Sequence, residues 1–246
     1  KIDTEGLEFE QVFADVEQLN LWALEGRLDV TKLSFNAFIY CVKEYALLDS
    51  GSALGNNCGP LLIKKPNTVL SFDSKIAIPG KYTTANMLLD IAFPQYQNKV
   101  ETLFSDIEND VIEAKVEAGL IIHESRFTYQ DNGLEKVQDL GEFWEEQTQL
   151  PIPLGGIVIK RILPLEIQQK LERVLRRSVE YAFENPNSSA DYVQYHAQSM
   201  EKEVVDAHIN LYVNNFSVSL AEKGRKAVEM VFEKASRDRG SIFVKS

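Results

Sequence analysis

Two hydrophobic periods take turns along this chain. Residues 7–13 show partial period-2 alternation and predict a strand. Residues 15–25 repeat apolar positions at helical spacing, with Val16, Leu19 and Trp22 or Leu24 on one face and Gly26 as the stop. Asp29–Leu33 predicts a short strand, Ser34 follows it, and Asn36–Leu48 reads as a helix. After the turn-rich stretch 51–59, residues 60–64 predict another strand. Lys75–Ile78 is a strand that stops at Pro79-Gly80. A loop over Lys81–Thr84 then leads into a helix over Ala85–Ala92. Residues 106–116 are amphipathic, and 118–122 form an unbroken apolar strand that runs straight into His123 and Glu124.

The second half is mostly helical. Asp131-Asn132-Gly133 is a turn, Leu150–Gly156 is a Pro- and Gly-rich crossing segment, and Ile157–Ile162 predicts a strand. Ile167, Leu171, Val174, Leu175 and Val179 then stripe one helix face until Asn185-Pro186 ends it. Further helices are expected over Asp191–Tyr212 and after Ser219, whose spacing to Glu222 fits a capping box. Strand and helix patterns alternating in this way, with no repeat of solenoid period, predict an α/β fold.

Composition narrows the function classes. With 246 residues, 44% apolar and 26% charged, there is material for one large domain or two lobes. No apolar run reaches the 18 residues of a membrane span. The net charge of −11 is spread along the chain, so nucleic acid and anionic lipid are expected to be repelled. The two cysteines, Cys41 and Cys58, match no metal or redox spacing and suit a reducing, cytoplasmic setting. No metal or cofactor is expected, and the pattern specifies no oligomeric state.

The chemistry-bearing residues repeat one local design. Three times a strand stops and a polar side chain stands at its carboxyl end: Ser34, the Thr83-Thr84 pair, and His123. Open α/β sheets collect ligands at that end of their strands. A helix starting there offers unpaired N–H groups to an anion such as a carboxylate. Ser34 and Thr84 have the ordinary alternative of being helix N-caps, a role compatible with touching a ligand. His123 is the natural acid–base group at neutral pH, with a partly buried structural histidine as its plain alternative. Glu124 beside it is a candidate for orienting the ring. His196 and His208, on helical stretches amid aromatics and carboxylates, read as structural or surface residues. Gly155-Gly156 is a candidate close-approach or hinge element.

Several blocks together resemble one family. Ala118–Tyr129, containing Ile121-Ile122-His123-Glu124, is similar to the signature of the 1,4-dihydroxy-6-naphthoate synthases of menaquinone biosynthesis by the futalosine route. Leu28–Ser34, Pro79–Ala85, Leu150–Gly156 and, toward the C-terminus, Tyr192-Val193, His196-Ala197-Gln198 and His208–Asn214 resemble further family segments, in order. The resemblance implies a two-lobed periplasmic-binding-protein-like fold of the second type, with two crossing strands. Residues 1–76 and 157–246 would form the large lobe and 77–156 the small one. It implies conversion of cyclic dehypoxanthine futalosine, a small carboxylate substrate, to 1,4-dihydroxy-6-naphthoate and dihydroxyacetone. It also implies His123 as general base and Ser34 and Thr84 as substrate-binding residues, to which the strand-end pattern adds Thr83. The family's first strand, a Ser-Pro-Cys-Pro-like turn and a helix have no counterpart before residue 1. A non-catalytic solute-binding protein of the same fold, or a chorismate dehydratase of the same pathway, are the alternatives. The histidine block argues against the second.

Overall fold

The computed structural model describes residues 2–123, 125–196, 202–235 and 240–245. In chain order the elements are α1 (Val16–Leu24), β1 (Val30–Ser34), α2 (Phe35–Cys41), β2 (Tyr45–Leu47), β3 (Ala53–Gly55), β4 (Leu61–Lys64), β5 (Ile76–Ile78), α3 (Thr84–Ala92) and β6 (Lys99–Glu101). There follow α4 (Ile107–Ile112), β7 (Ala118–Ile121), α5 (Ser125–Thr128), β8 (Glu135–Asp139), α6 (Leu140–Thr148) and β9 (Ile152–Lys160). The chain closes with α7 (Leu165–Glu184), α8 (Ala190–His196), α9 (Lys202–Tyr212), α10 (Asn215–Val218) and α11 (Ala221–Lys234). Two compact units emerge, Lys1–Gly55 with Pro153–Ser246, and Asn56–Ile152.

In the first unit β9 lies between β1 and β2, antiparallel to both, and β3 also pairs with it. The predicted α1 and β1 form where the pattern put them. Asp15 caps α1 by accepting from Glu17 N and Gln18 N, and Gly26 ends the helix with φ +65°, a conformation that suits glycine. Leu171 and Val174 of the α7 stripe are buried, and Leu171 packs with Ala46, Leu48 and Ile159. Phe38 of α2 meets Phe232 of α11 edge to face, with ring centroids 5.7 Å apart.

The second unit is built on one five-stranded sheet in the order β6-β5-β7-β4-β8. β6, β5 and β7 run parallel, and β4 is antiparallel to both β7 and β8. The carboxyl ends of β6, β5, β7 and β8 therefore share one edge of the sheet. β7 is buried along its length, as an apolar strand without alternation should be. Gly119 in it admits α4, because a Cβ there would stand 2.5 Å from Ile107 Cγ2.

Several expectations give way to tertiary context. Residues 7–13 form no strand; 8–13 are exposed and pair with nothing in the sheets. The helix expected to Leu48 ends at Cys41, because Tyr45–Leu47 is wholly buried and pairs with β9. The amphipathic stretch 106–116 is helical only over α4. The crossing segment is itself strand: Pro153, Gly155 and Gly156 lie inside the nine-residue β9, along which the chain passes from the second unit to the first, and that strand ends at Lys160, before the expected Ile162. Ser219 stands one residue before the N-cap of the last helix, and its Oγ accepts from Ala221 N at 3.3 Å. Its hydroxyl donates to Asp49 Oδ2 at 2.5 Å, and α11 starts after Leu220. The boundaries also differ from 76/77 and 156/157. β4, expected in the large lobe, pairs with β7 and β8 in the middle of the second unit's sheet.

Candidate active site

Within the second unit, Thr83, Thr84 and His123 stand beyond the carboxyl ends of neighbouring parallel strands, β5 for the threonines and β7 for the histidine. After β5 the chain turns through Gly80, whose φ of +148° is open to glycine and costly for other residues. Thr83 then caps α3. Its Oγ1 accepts from Asn86 N at 3.1 Å and donates to the carbonyl of Gly80 at 2.8 Å. The hydrogen of the Thr83 hydroxyl is thus engaged in holding the helix start. Asn86 reinforces the turn by donating to Lys81 O, and its own side-chain oxygen accepts from Lys99 Nζ. Thr84 opens the helix and is buried. The first-turn N–H groups around it carry the positive end of the helix dipole.

His123 lies two residues past β7, half-buried, with φ +58°. A non-glycine residue in the left-handed region carries strain of about 1–2 kcal/mol. Such strain persists only where the surroundings hold it, and it concentrates at functional sites. The imidazole meets the ring of Phe104, beyond the carboxyl end of β6, edge to face at 5.1 Å. Glu124, the other candidate in this block, lies outside the described residues.

Ser34 belongs to the first unit. It ends β1 and occupies the N-cap position of α2, yet its side chain makes no cap hydrogen bond. Asn20 of α1 determines what the hydroxyl does instead. The backbone N–H of Ser34 donates to Asn20 Oδ1 at 2.9 Å, which fixes the orientation of the amide, since an N–H only donates. Asn20 Nδ2 must then face Ser34 Oγ, 3.2 Å away, and Glu17 Oε2, 2.9 Å away. Ser34 Oγ is therefore an acceptor toward Asn20, and its O–H points elsewhere as a donor. Among the described residues that O–H has no acceptor. Asn20 is completely buried and Ser34 nearly so. Because α2 has only seven residues, its dipole adds little to this site.

Beyond Asn20, sequence reasoning missed three neighbours. Lys32 lies two residues before Ser34 and so on the same face of β1. Surrounding protein pushes its ammonium below the ordinary lysine range, although the side chain still reaches solvent. Arg126 and Asp139 form an ion pair at the carboxyl edge of the second sheet, with Nη2 and Oδ2 2.7 Å apart. The only signals of these roles in the sequence were two residues of spacing for Lys32 and three, from His123, for Arg126. Asn20 and Asp139 carried none, because their partners are distant along the chain.

The remaining candidates have structural explanations. His196 stacks on Phe13 at 4.7 Å and also touches Tyr192 and Tyr195. His208 packs against Tyr212. Gly155 is a close-approach position, since a Cβ there would stand 2.6 Å from the carbonyl oxygen of Leu33. Ala197 and Gln198 lie outside the described residues. Among the described residues no group of three or more His, Cys, Asp or Glu is placed to hold a metal ion, and no helix is long and apolar enough to cross a membrane.

Residues 1–237 match the family model described as menaquinone biosynthesis. The chain is 45% identical over 226 residues to the 1,4-dihydroxy-6-naphthoate synthase of Thermus thermophilus, covering 92% of this chain and 83% of that one. A crystal structure of an Archaeoglobus fulgidus protein superposes with a TM-score of 0.88 at 36% identity, covering 94% of this chain and 87% of that one. A Candida albicans protein described as having the generic periplasmic binding protein fold superposes with a TM-score of 0.60 at 11% identity, covering 90% of this chain and 78% of that one.

Proposed function

Because the chain belongs to the menaquinone-biosynthesis family, we propose that it is a carbon–carbon lyase that converts cyclic dehypoxanthine futalosine to 1,4-dihydroxy-6-naphthoate and dihydroxyacetone. The fold is that of periplasmic binding proteins, used here for catalysis. In this reading His123 removes a carbon-bound proton, which starts ring opening and carbon–carbon cleavage. Formation of the aromatic naphthalene drives the step forward. The observation that carries the assignment is a strained histidine at a buried strand's end, beside the helix start of Thr83 and Thr84. A positioned proton-transfer group contributes about 10²–10⁴-fold, and placement of the substrate with exclusion of water supplies the rest.

The other residues divide the binding. Thr83 fixes the start of α3, so that Thr84 and the first-turn N–H groups meet the substrate. Ser34, turned into a donor by Asn20, gives its hydrogen to a substrate oxygen. The reading places the enzyme in the cytoplasm, a setting that suits two buried thiols outside any disulfide.

Incubation of the purified protein with cyclic dehypoxanthine futalosine tests this directly. The naphthoate and dihydroxyacetone should appear together in equal amounts, and His123→Asn should slow their appearance. Substrate bound and recovered unchanged would instead identify a solute-binding protein.

A further inference from the structure

A histidine in the left-handed region needs neighbours that hold its turn in place. The helix that follows it, α5, has four residues, far too few to be stable alone, and none of them is buried. Tyr129, in the apolar core, secures the far end of this segment. The near end is secured by Arg126. Its Nη1 donates to Gly59 O at 2.6 Å, and its Nη2 donates to Asn57 O at 2.8 Å and to Asp139 Oδ2 at 2.7 Å.

We propose that Arg126 and Asp139 are a positioning pair for His123, pinning the turn after β7 to two neighbouring strand ends. The proposal rests on the reading of His123 as the base. Asp139 is anchored in its own right. Its side chain is 1% exposed, and its Oδ1 accepts from Gly141 N at 2.8 Å and Glu142 N at 3.2 Å, capping α6. The carbonyls that Arg126 grips belong to the segment leading into β4, whose first residue, Leu61, pairs with both Ile121 and Asp139. That segment is held against α6 by Gly59, where a Cβ would stand 2.0 Å from Gly141 N. One guanidinium thus ties the histidine turn, the entry to β4 and the end of β8 at a single sheet edge. Its charge is met by Asp139, so its effect on His123 acts through placement of the ring. A forked, planar donor is needed to reach three acceptors, and lysine lacks that shape.

The test is a double-mutant cycle. Arg126→Lys keeps the charge and loses the fork. It should lower kcat about tenfold while KM stays within about threefold, the pattern of a lost transition-state interaction. In a His123→Ala background the same substitution should change the residual rate by less than about twofold, because the group it positions is gone. Asp139→Asn keeps an oxygen to cap α6 but turns its NH2 toward the guanidinium, so the contact with Arg126 becomes donor against donor and is lost. It serves as the second variant if Arg126→Lys does not fold, and should lower kcat about threefold. Rates are normalised to folded protein by circular dichroism. A kcat loss that disappears on normalisation, or one that persists undiminished in the His123→Ala background, overturns the pair's positioning role. Full activity of His123→Ala alone removes the base, and the proposal with it. That result is distinct from an Arg126→Lys enzyme that works normally while His123 remains essential.

Discussion

Ser34 and Thr83 occupy the same backbone position in two separate units. Each is the residue before a helix, with φ −70° and ψ 144° at Ser34 and φ −70° and ψ 148° at Thr83. Thr83 does what that position invites and caps its helix. Ser34 does not, and its oxygen accepts instead from Asn20 of the neighbouring α1. A hydroxyl at a helix start is assigned by what packs beside it. Thr83 accepts from its own helix and gives its hydrogen to the carbonyl of Gly80, which serves the fold. Ser34 accepts from a buried amide and keeps its hydrogen to give.

The largest expected effect lies outside the hydroxyl pair and sets its scale. His123→Asn should reduce kcat by about 10²-fold or more with an unchanged circular dichroism spectrum. Full turnover would leave neither hydroxyl a reaction to serve. Next comes the crossed pair. Ser34→Ala should raise KM about tenfold with little change in melting temperature, whereas Thr83→Ala should cost about 1 kcal/mol of stability with KM nearly unchanged. Steady-state kinetics and urea titrations of both variants decide this, and an exchange of the two outcomes would reverse the assignment. Asn20→Asp is a finer probe. A carboxylate still accepts from Ser34 N–H, but it also accepts from the hydroxyl, turning the O–H inward. KM should rise severalfold, and the Asp variant of the Ser34→Ala enzyme should show no further rise.

The smallest effect asks whether one unit is simply looser than the other. Cys41 sits in the first unit and Cys58 in the second, and burial pushes each thiol up to about 12. The thiolate is the reactive form, so at pH 8 only about one thiol in 10⁴ is available. Iodoacetamide should label neither in the folded protein at that pH. Labelling should quicken by about tenfold per pH unit toward 12, provided the fold persists. Rapid labelling of one cysteine alone at pH 8 would show that its unit opens, and would weaken a comparison that treats both sites as equally well packed.

Much of this was legible in the order of residues. Helical spacing from Val16, the apolar run ending at Ile122, and the stop at Pro79-Gly80 placed α1, β7, β5 and the start of α3 to within a residue or so, because local periodicity and turn chemistry act over short distances. Ser34, Thr83, Thr84 and His123 stood out for the same reason, as polar residues where strands stop. Long blocks of family likeness then supplied the reaction, and the family match supports it.

What only the tertiary structure decided is which partner each group has. Residues 8–13 alternate but find no neighbouring strand, and Tyr45–Leu47 leaves a helical pattern because β9 lies beside it. Asn20 reaches Ser34 across fourteen positions, and Arg126 reaches Gly59 across sixty-seven. A hydrogen bond depends on distance in space, and spacing along the chain carries no record of it. The kinds of chemistry present were therefore written in the residues themselves, while the direction of each proton and the rigidity of each turn came from the packing.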